Sequence, residues 1–175
     1  MRDCALQLAQ TGVGALGDLF DLTASRSLRF AATLTRNQHD AEDAVQAAMV
    51  RVALHPGKLA RADHPWAYLL RIVRNEALKI NLKRRNDQVL TLMNEQGDEP
   101  ALDLADARRF VQKAVEQLPA AQSEVVVLKV WEGLTFAEIA EVLGESPNTA
   151  ASRYRYALQK LTLTLQPLVE ETPGS

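Results

Sequence analysis

Apolar positions recur at helical spacing along most of the chain. Around residues 15–36, Leu16, Leu19, Phe20, Leu28, Ala31 and Leu34 form an amphipathic stripe, with a break expected near Thr23–Ser25. The stretch NQHDAED then predicts a helix capped by Asp40, with Glu42 and Asp43 in its first turn, where the helix dipole favours carboxylates. That helix should run to about Leu54 and stop at His55-Pro56-Gly57. Pro65 is suited to open a third helix, in which Leu69, Ile72, Val73, Leu78, Ile80 and Leu82 are apolar. The one β-like run is VVVLKV at 125–130, so the expected fold class is all-α.

From Asn86 to about Ala105 the pattern lapses. Asp87, Glu95, Asp98, Glu99, Asp103 and Asp106 are acidic, no Lys or Arg intervenes before Arg108, and Gly97 and Pro100 punctuate the run. The reading is two small helical domains, residues 1–86 and 107–175, joined by an acidic linker at 87–106. The tail PLVEETPGS is expected to fray.

In the second unit, a packing helix is expected from about Ala120 to Trp131, ended at Gly133. Phe136, Ile139, Ala140 and Leu143 follow at i, i+3, i+4 and i+7, a single buried stripe. Gly144 sits where a left-handed C-cap is wanted, Ser146 is a good N-cap and Pro147 a good first helical residue. The helix after it would bury Ala150, Tyr154, Ala157, Leu158 and Leu161 and present Asn148, Thr149, Ala151, Ser152, Arg155 and Gln159, with Arg153 at the flank. This is a helix-turn-helix with its C-terminal helix free to enter a DNA groove, or equally any two-helix hairpin with a glycine turn.

Charge sharpens the picture. The chain carries a formal net charge of -2, the wrong sign for a polyphosphate partner. Yet Lys58, Arg61, Arg71, Arg74, Lys79, Lys83, Arg84 and Arg85 are opposed over that stretch only by Asp63 and Glu76, so a basic face is hidden by the acidic linker. Trp66 and Tyr68 beside these cations are either stacking groups for single-stranded nucleic acid or core residues under a solvated basic face. Cys4 is the single cysteine, which excludes an internal disulfide, and His39, His55 and His64 lack metal-ligand spacing. No phosphate-binding glycine loop, nucleophile elbow or HExxH motif occurs, so neither an enzyme nor a cofactor is expected. No stretch approaches the roughly 20 apolar residues of a membrane span. A cytoplasmic protein is expected.

The order DAEDAVQ, PWAYLLRIVRN, an acidic linker and LPAAQSEVVVLKVWEGLTFAEIAEVLGESPNTAASRYRYALQKL resembles bacterial sigma factors of the small extracytoplasmic-function group, over about Leu16 to Leu165. The resemblance implies a subunit that binds core RNA polymerase and directs promoter-specific initiation. Asp40, Asp43, Val45, Gln46 and Arg51 match the polymerase-docking segment. Lys58 to Arg85 matches the part that recognises and melts the −10 element, with Trp66, Arg71, Arg74 and Asn75 among its contacts and the loop at residues 57 to 65 receiving a flipped base. Asn148, Thr149, Ala151, Ser152, Arg153 and Arg155 would read the −35 element. An anti-sigma factor is a further partner that many members of the group have. The chain departs from the group's usual pattern at Ala47 and Met49 in the docking helix, at Tyr68, where a tryptophan is usual and Trp66 is an extra aromatic, and at Glu145 and Ala151 in the helix-turn-helix. The alternative is a stand-alone helix-turn-helix regulator, which would leave DAEDAVQ and the basic helix without a role.

Overall fold

The computed structural model describes residues 1–88 and 104–170, and every regular element among them is helical. The expected linker therefore lies largely outside the described residues. The first half contains α1 (Arg2–Thr11), α2 (Leu16–Thr35), α3 (Gln38–Leu54), α4 (Pro56–Arg61) and α5 (Pro65–Gln88). The second contains α6 (Leu104–Glu116), α7 (Ala120–Val126), α8 (Phe136–Leu143) and α9 (Pro147–Glu170).

Three expectations for the first half need correction. No break occurs at Thr23–Ser25: the Thr23 hydroxyl donates to the Leu19 carbonyl at 2.6 Å, which satisfies the polar group inside the helix. Asp40 is not the cap of α3. Asn37 holds the extended backbone that a cap requires, and its side chain accepts from the Asp40 N–H at 3.0 Å. The segment 57 to 65 is not all loop, because Pro56 opens α4 and only residues 62–64 link it to α5. An unanticipated helix, α1, buries Ala5 and Leu8 fully and packs on α4, and the Arg2 guanidinium donates to the Asp63 carbonyl at 2.6 Å.

Helices α2, α3 and α5 pack on one another. Ala41, Ala44 and Ala48 line one face of α3 and are fully buried, so small side chains let the neighbouring helices approach closely. Phe30, Leu69, Leu70 and Val73 fill the space between them. Asn81 donates from α5 to the Leu34 carbonyl at 2.9 Å, which sets the register of α5 against α2.

In the second half the run VVVLKV is helical. Helix α7 continues into a π-helical turn, Val127–Trp131, and Gly133 then takes a positive φ of 69°. Val125, Val127 and Leu128 are buried, and that packing overrides the β preference of valine. Helix α9 extends to Glu170, into the first residues of PLVEETPGS, the tail expected to fray.

The two helical units touch. Helix α5 packs on α8, and α2 packs on α7. Glu132, whose side chain is fully buried, accepts from Arg26 at 2.9 Å and Arg29 at 3.1 Å. Arg74 pairs with Glu124 at 2.6 Å, and His64 with Glu138 at 3.1 Å.

Candidate nucleic-acid interface

The helix-turn-helix is built from local capping. At the start of α8 the Thr135 hydroxyl accepts from the Glu138 N–H at 3.2 Å, while the Glu138 carboxylate accepts from the Thr135 N–H at 2.8 Å. Burial pushes the Glu138 carboxyl up, but the Thr135 hydroxyl and N–H, with His64 and Lys129 nearby, bring it below its ordinary value. Gly144 ends the helix in the left-handed region (φ 71°), and its N–H donates to the Ala140 carbonyl at 2.8 Å. The Ser146 hydroxyl accepts from the Thr149 N–H at 3.1 Å and caps α9, whose first residue is Pro147.

Phe136 meets Tyr154 edge to face at 5.7 Å, locking the two helices together. Ile139, Ala140, Ala150, Ala157 and Leu161 are buried as expected, and Val142 joins them. Leu158 is not buried: it is 41% exposed, because it lies at the edge of the Ala150–Ala157–Leu161 stripe. On the outer face of α9, Asn148, Thr149, Arg155 and Gln159 are exposed, and Ala151, Ser152 and Arg153 are partly covered. Arg153 pairs with Glu145 in the turn, and the Arg155 guanidinium lies over the Tyr156 ring.

The second surface lies on α5. Arg71, Asn75, Leu78 and Leu82 fall at i, i+4, i+7 and i+11 and are all exposed, with Lys79 and Lys83 beside them. Leu78 and Leu82, apolar positions of this helix, thus lie on the surface rather than in the core. Lys79 leans on Glu76 at 3.0 Å, and Arg84 pairs with Asp40 of α3 at 3.1 Å. Arg85 is exposed at the end of the described side chains of this helix. Lys58 and Arg61 are exposed on α4, where Arg61 donates to the Gly57 carbonyl at 3.0 Å. A cavity of about 400 Å³ lies between α3, α4 and α5, lined by Arg51, His55, Lys58, Leu59, Tyr68 and Ile72.

Two of the expected contacts are committed elsewhere. Trp66 is partly buried with the Arg26 guanidinium 4.3 Å above its ring, and Arg74 faces the second half through Glu124. The docking set is divided likewise. Asp43 and Gln46 are exposed on α3, Arg51 is exposed and paired with Glu76, and Val45 is buried in the core. Val50 and Leu54, at 58% and 69% exposure, continue the face begun by Asp43 and Gln46. They were legible as apolar positions outside the buried stripe of Ala41, Ala44, Ala48 and Val52, a signal the expected set did not use.

The described residues 19–88 match a family model described as Sigma-70 region 2, and 109–161 match one described as Sigma-70, region 4. The chain is 32% identical over 158 residues to the ECF RNA polymerase sigma factor SigL of Mycobacterium tuberculosis, covering 86% of this chain and 88% of that one. It is 31% identical over 152 residues to the RNA polymerase sigma factor CarQ of Myxococcus xanthus, covering 84% and 87%. Among solved structures it is similar to the sigma factor RpoE of Bartonella quintana in complex with the anti-sigma factor NepR. There the TM-score is 0.71 at 25% identity, over 88% of this chain and 98% of that one. The fold is also shared with CnrH in complex with the cytosolic domain of CnrY, at a TM-score of 0.68 and 24% identity, covering 95% and 97%.

Proposed function

The chain belongs to the extracytoplasmic-function (ECF) sigma factors of the sigma-70 family, and from that premise we propose how its parts divide the work at a promoter. The protein is an RNA polymerase sigma factor. It acts in the cytoplasm and contributes no catalytic chemistry; the polymerase forms the bonds. We divide it at residues 1–86, 87–106 and 107–175.

Polymerase docking is assigned to the exposed face of α3, with Asp43, Gln46, Val50 and Leu54 as contacts. Asp40 and Arg51 orient that face through Arg84 and Glu76, and Val45 supports it from the core. Recognition and melting of the −10 element fall to Arg71, Asn75, Lys79, Lys83 and Arg85 on α5 with Lys58 and Arg61 on α4. Cations there track the phosphates, and Leu78 and Leu82 offer apolar surface to unstacked bases. The cavity beside Tyr68 is suited to an extruded base, with a ring for stacking and Lys58 for the adjoining phosphate. The −35 element is read by the first turns of α9, through Asn148, Thr149, Ser152, Arg153 and Arg155.

The observation that carries this division is the contact between the halves. The two elements are about 25 base pairs apart, or about 85 Å at 3.4 Å per base pair. A compact chain of this length has a radius of gyration of about 16 Å. It cannot reach both elements while closed. The halves therefore part at Glu132, Glu124 and Glu138 when the polymerase binds, which frees Arg74 and Trp66 for DNA. Affinity for the promoter then comes from the complex, and a net charge of -2 on the sigma factor alone is no obstacle. An anti-sigma factor is proposed as a further partner, since the Bartonella relative was solved bound to one. A cleft of about 660 Å³ between Ala32, Thr33, Val111, Val115 and Trp131 spans both halves, and an occupant there would keep them closed.

Reconstitution tests the reading: purified core polymerase plus this chain should initiate on promoters that core alone ignores. A chain that leaves core inactive on genomic promoter fragments, yet footprints duplex DNA unaided, is a stand-alone regulator instead.

A further inference from the structure

The turn of the helix-turn-helix holds a carboxylate in an unusual setting. Glu145 follows Gly144, and its N–H donates to the Ala140 carbonyl at 3.1 Å, so the backbone directs its side chain back over the start of α9. One carboxylate oxygen meets the guanidinium of Arg153, eight positions on. The other is buried and has no hydrogen-bond partner. The side chain is only 12% exposed, while that of Arg153 is 37% exposed. A desolvated, half-satisfied carboxylate costs stability, and the turn does not need it, because Gly144 and Ser146 already make the cap on either side.

We propose that Glu145 is a positioning residue for base reading, acting through Arg153; the inference rests on the assignment of α9 to the −35 element. A free arginine on this face would be drawn to the nearest phosphate, a contact that carries no sequence information. Paired with Glu145, the guanidinium is nearly neutralised as a phosphate ligand and fixed in direction. The contact made to Glu145 runs from one terminal nitrogen, so donors remain on its other nitrogens for a base edge. A carboxylate beside the groove also repels phosphate, so a binding mode that places Arg153 on the backbone is disfavoured. Glu145 thus exchanges non-specific attraction for discrimination at the base pair that Arg153 reads. A guanidinium held this way is suited to the N7 and O6 acceptors of guanine.

Two measurements on Glu145→Gln and Glu145→Ala test this, with Arg153→Ala as reference. The first is affinity of the full chain for a random-sequence duplex as a function of salt. The slope of log K against log salt should steepen by about one in both variants, because one more cation is free to meet a phosphate. The second is selection by the reconstituted holoenzyme from promoters randomised across the −35 element. Both variants should lose about tenfold in preference at the base pair whose preference Arg153→Ala also loses. Unchanged slope and unchanged preference with a lowered melting midpoint would make Glu145 a turn stabiliser and overturn the proposal. So would a steeper slope with discrimination intact. If the wild-type holoenzyme itself shows no −35 preference, the assignment of α9 fails and this inference with it.

Discussion

Arg26 and Glu132 are 106 residues apart in sequence, and the Arg26 Nε lies 2.9 Å from the Glu132 carboxylate. Arg29 approaches the other carboxylate oxygen at 3.1 Å. The pair is asymmetric: the Glu132 side chain is fully buried, whereas the two arginines are 42% and 48% exposed. Removing the arginines strands a charge away from water, while removing the glutamate leaves two cations that solvent can serve.

Arg26→Ala with Arg29→Ala should therefore cost about 3 kcal/mol of the closed state. The relief available to the orphaned carboxylate is separation of the halves, so small-angle scattering should show a larger radius of gyration. Adding Glu132→Gln should restore much of the compaction. A triple variant as open as the double would show that the carboxylate is not what drives the halves apart.

Glu138 supplies the pH dependence. Its folded-state pKa is depressed, so the stability it contributes is present above its unfolded value near 4.5 and is lost as pH falls through the lower folded value. Thr135→Val removes the hydroxyl that caps α8, and should cost about 1 kcal/mol near neutrality. It should also move the Glu138 titration upward, towards the ordinary value, as followed by carboxylate NMR shifts.

Gly144 adopts φ 71°, and a Cβ added there would meet nothing within 4 Å. The cost of Gly144→Ala is consequently backbone strain alone, about 1 kcal/mol in chemical denaturation. A much larger loss would point to a contact that this geometry does not contain.

Lys79→Ala with Lys83→Ala should weaken holoenzyme binding at every promoter alike and lower the magnitude of the salt slope by about two, one per phosphate contact. Arg84→Ala should change that slope less, since its guanidinium is held by Asp40 at 3.1 Å. A drop of about one for Arg84→Ala would place Arg84 on the DNA as well.

Much of this architecture is visible in local chemistry. Pro65 and Pro147 start helices, His55-Pro56 stops one, and Gly144 with Ser146 makes the turn between α8 and α9. The misreadings share a cause. Thr23 looked like a breaker until its hydroxyl found the Leu19 carbonyl, and Asp40 looked like a cap although Asn37 has the extended backbone. Several residues could do the job, and a small conformational difference chose among them. Val125, Val126 and Val127 keep a helical state because all three are buried, while Val130 at the end of the run is exposed. The ion pairs between the halves leave no trace in periodicity at all. Arginines on α2 and glutamates around α7 read simply as solvated charges until the tertiary contact brings them together. Val50 and Leu54, proposed above as docking contacts, are apolar residues that stay on the surface outside the stripe of Ala41, Ala44, Ala48 and Val52.

The most direct test separates promoter binding from strand opening in the reconstituted holoenzyme, comparing Arg153→Ala with Asn75→Ala. Closed-complex affinity can be measured at low temperature, and opening by the reactivity of unpaired thymines around −10. The division of labour between α9 and α5 predicts that Arg153→Ala lowers closed-complex affinity about tenfold or more while bound complexes still open. Asn75→Ala should bind nearly as wild type and open more slowly. Equal loss of closed-complex binding in both variants would contradict the account.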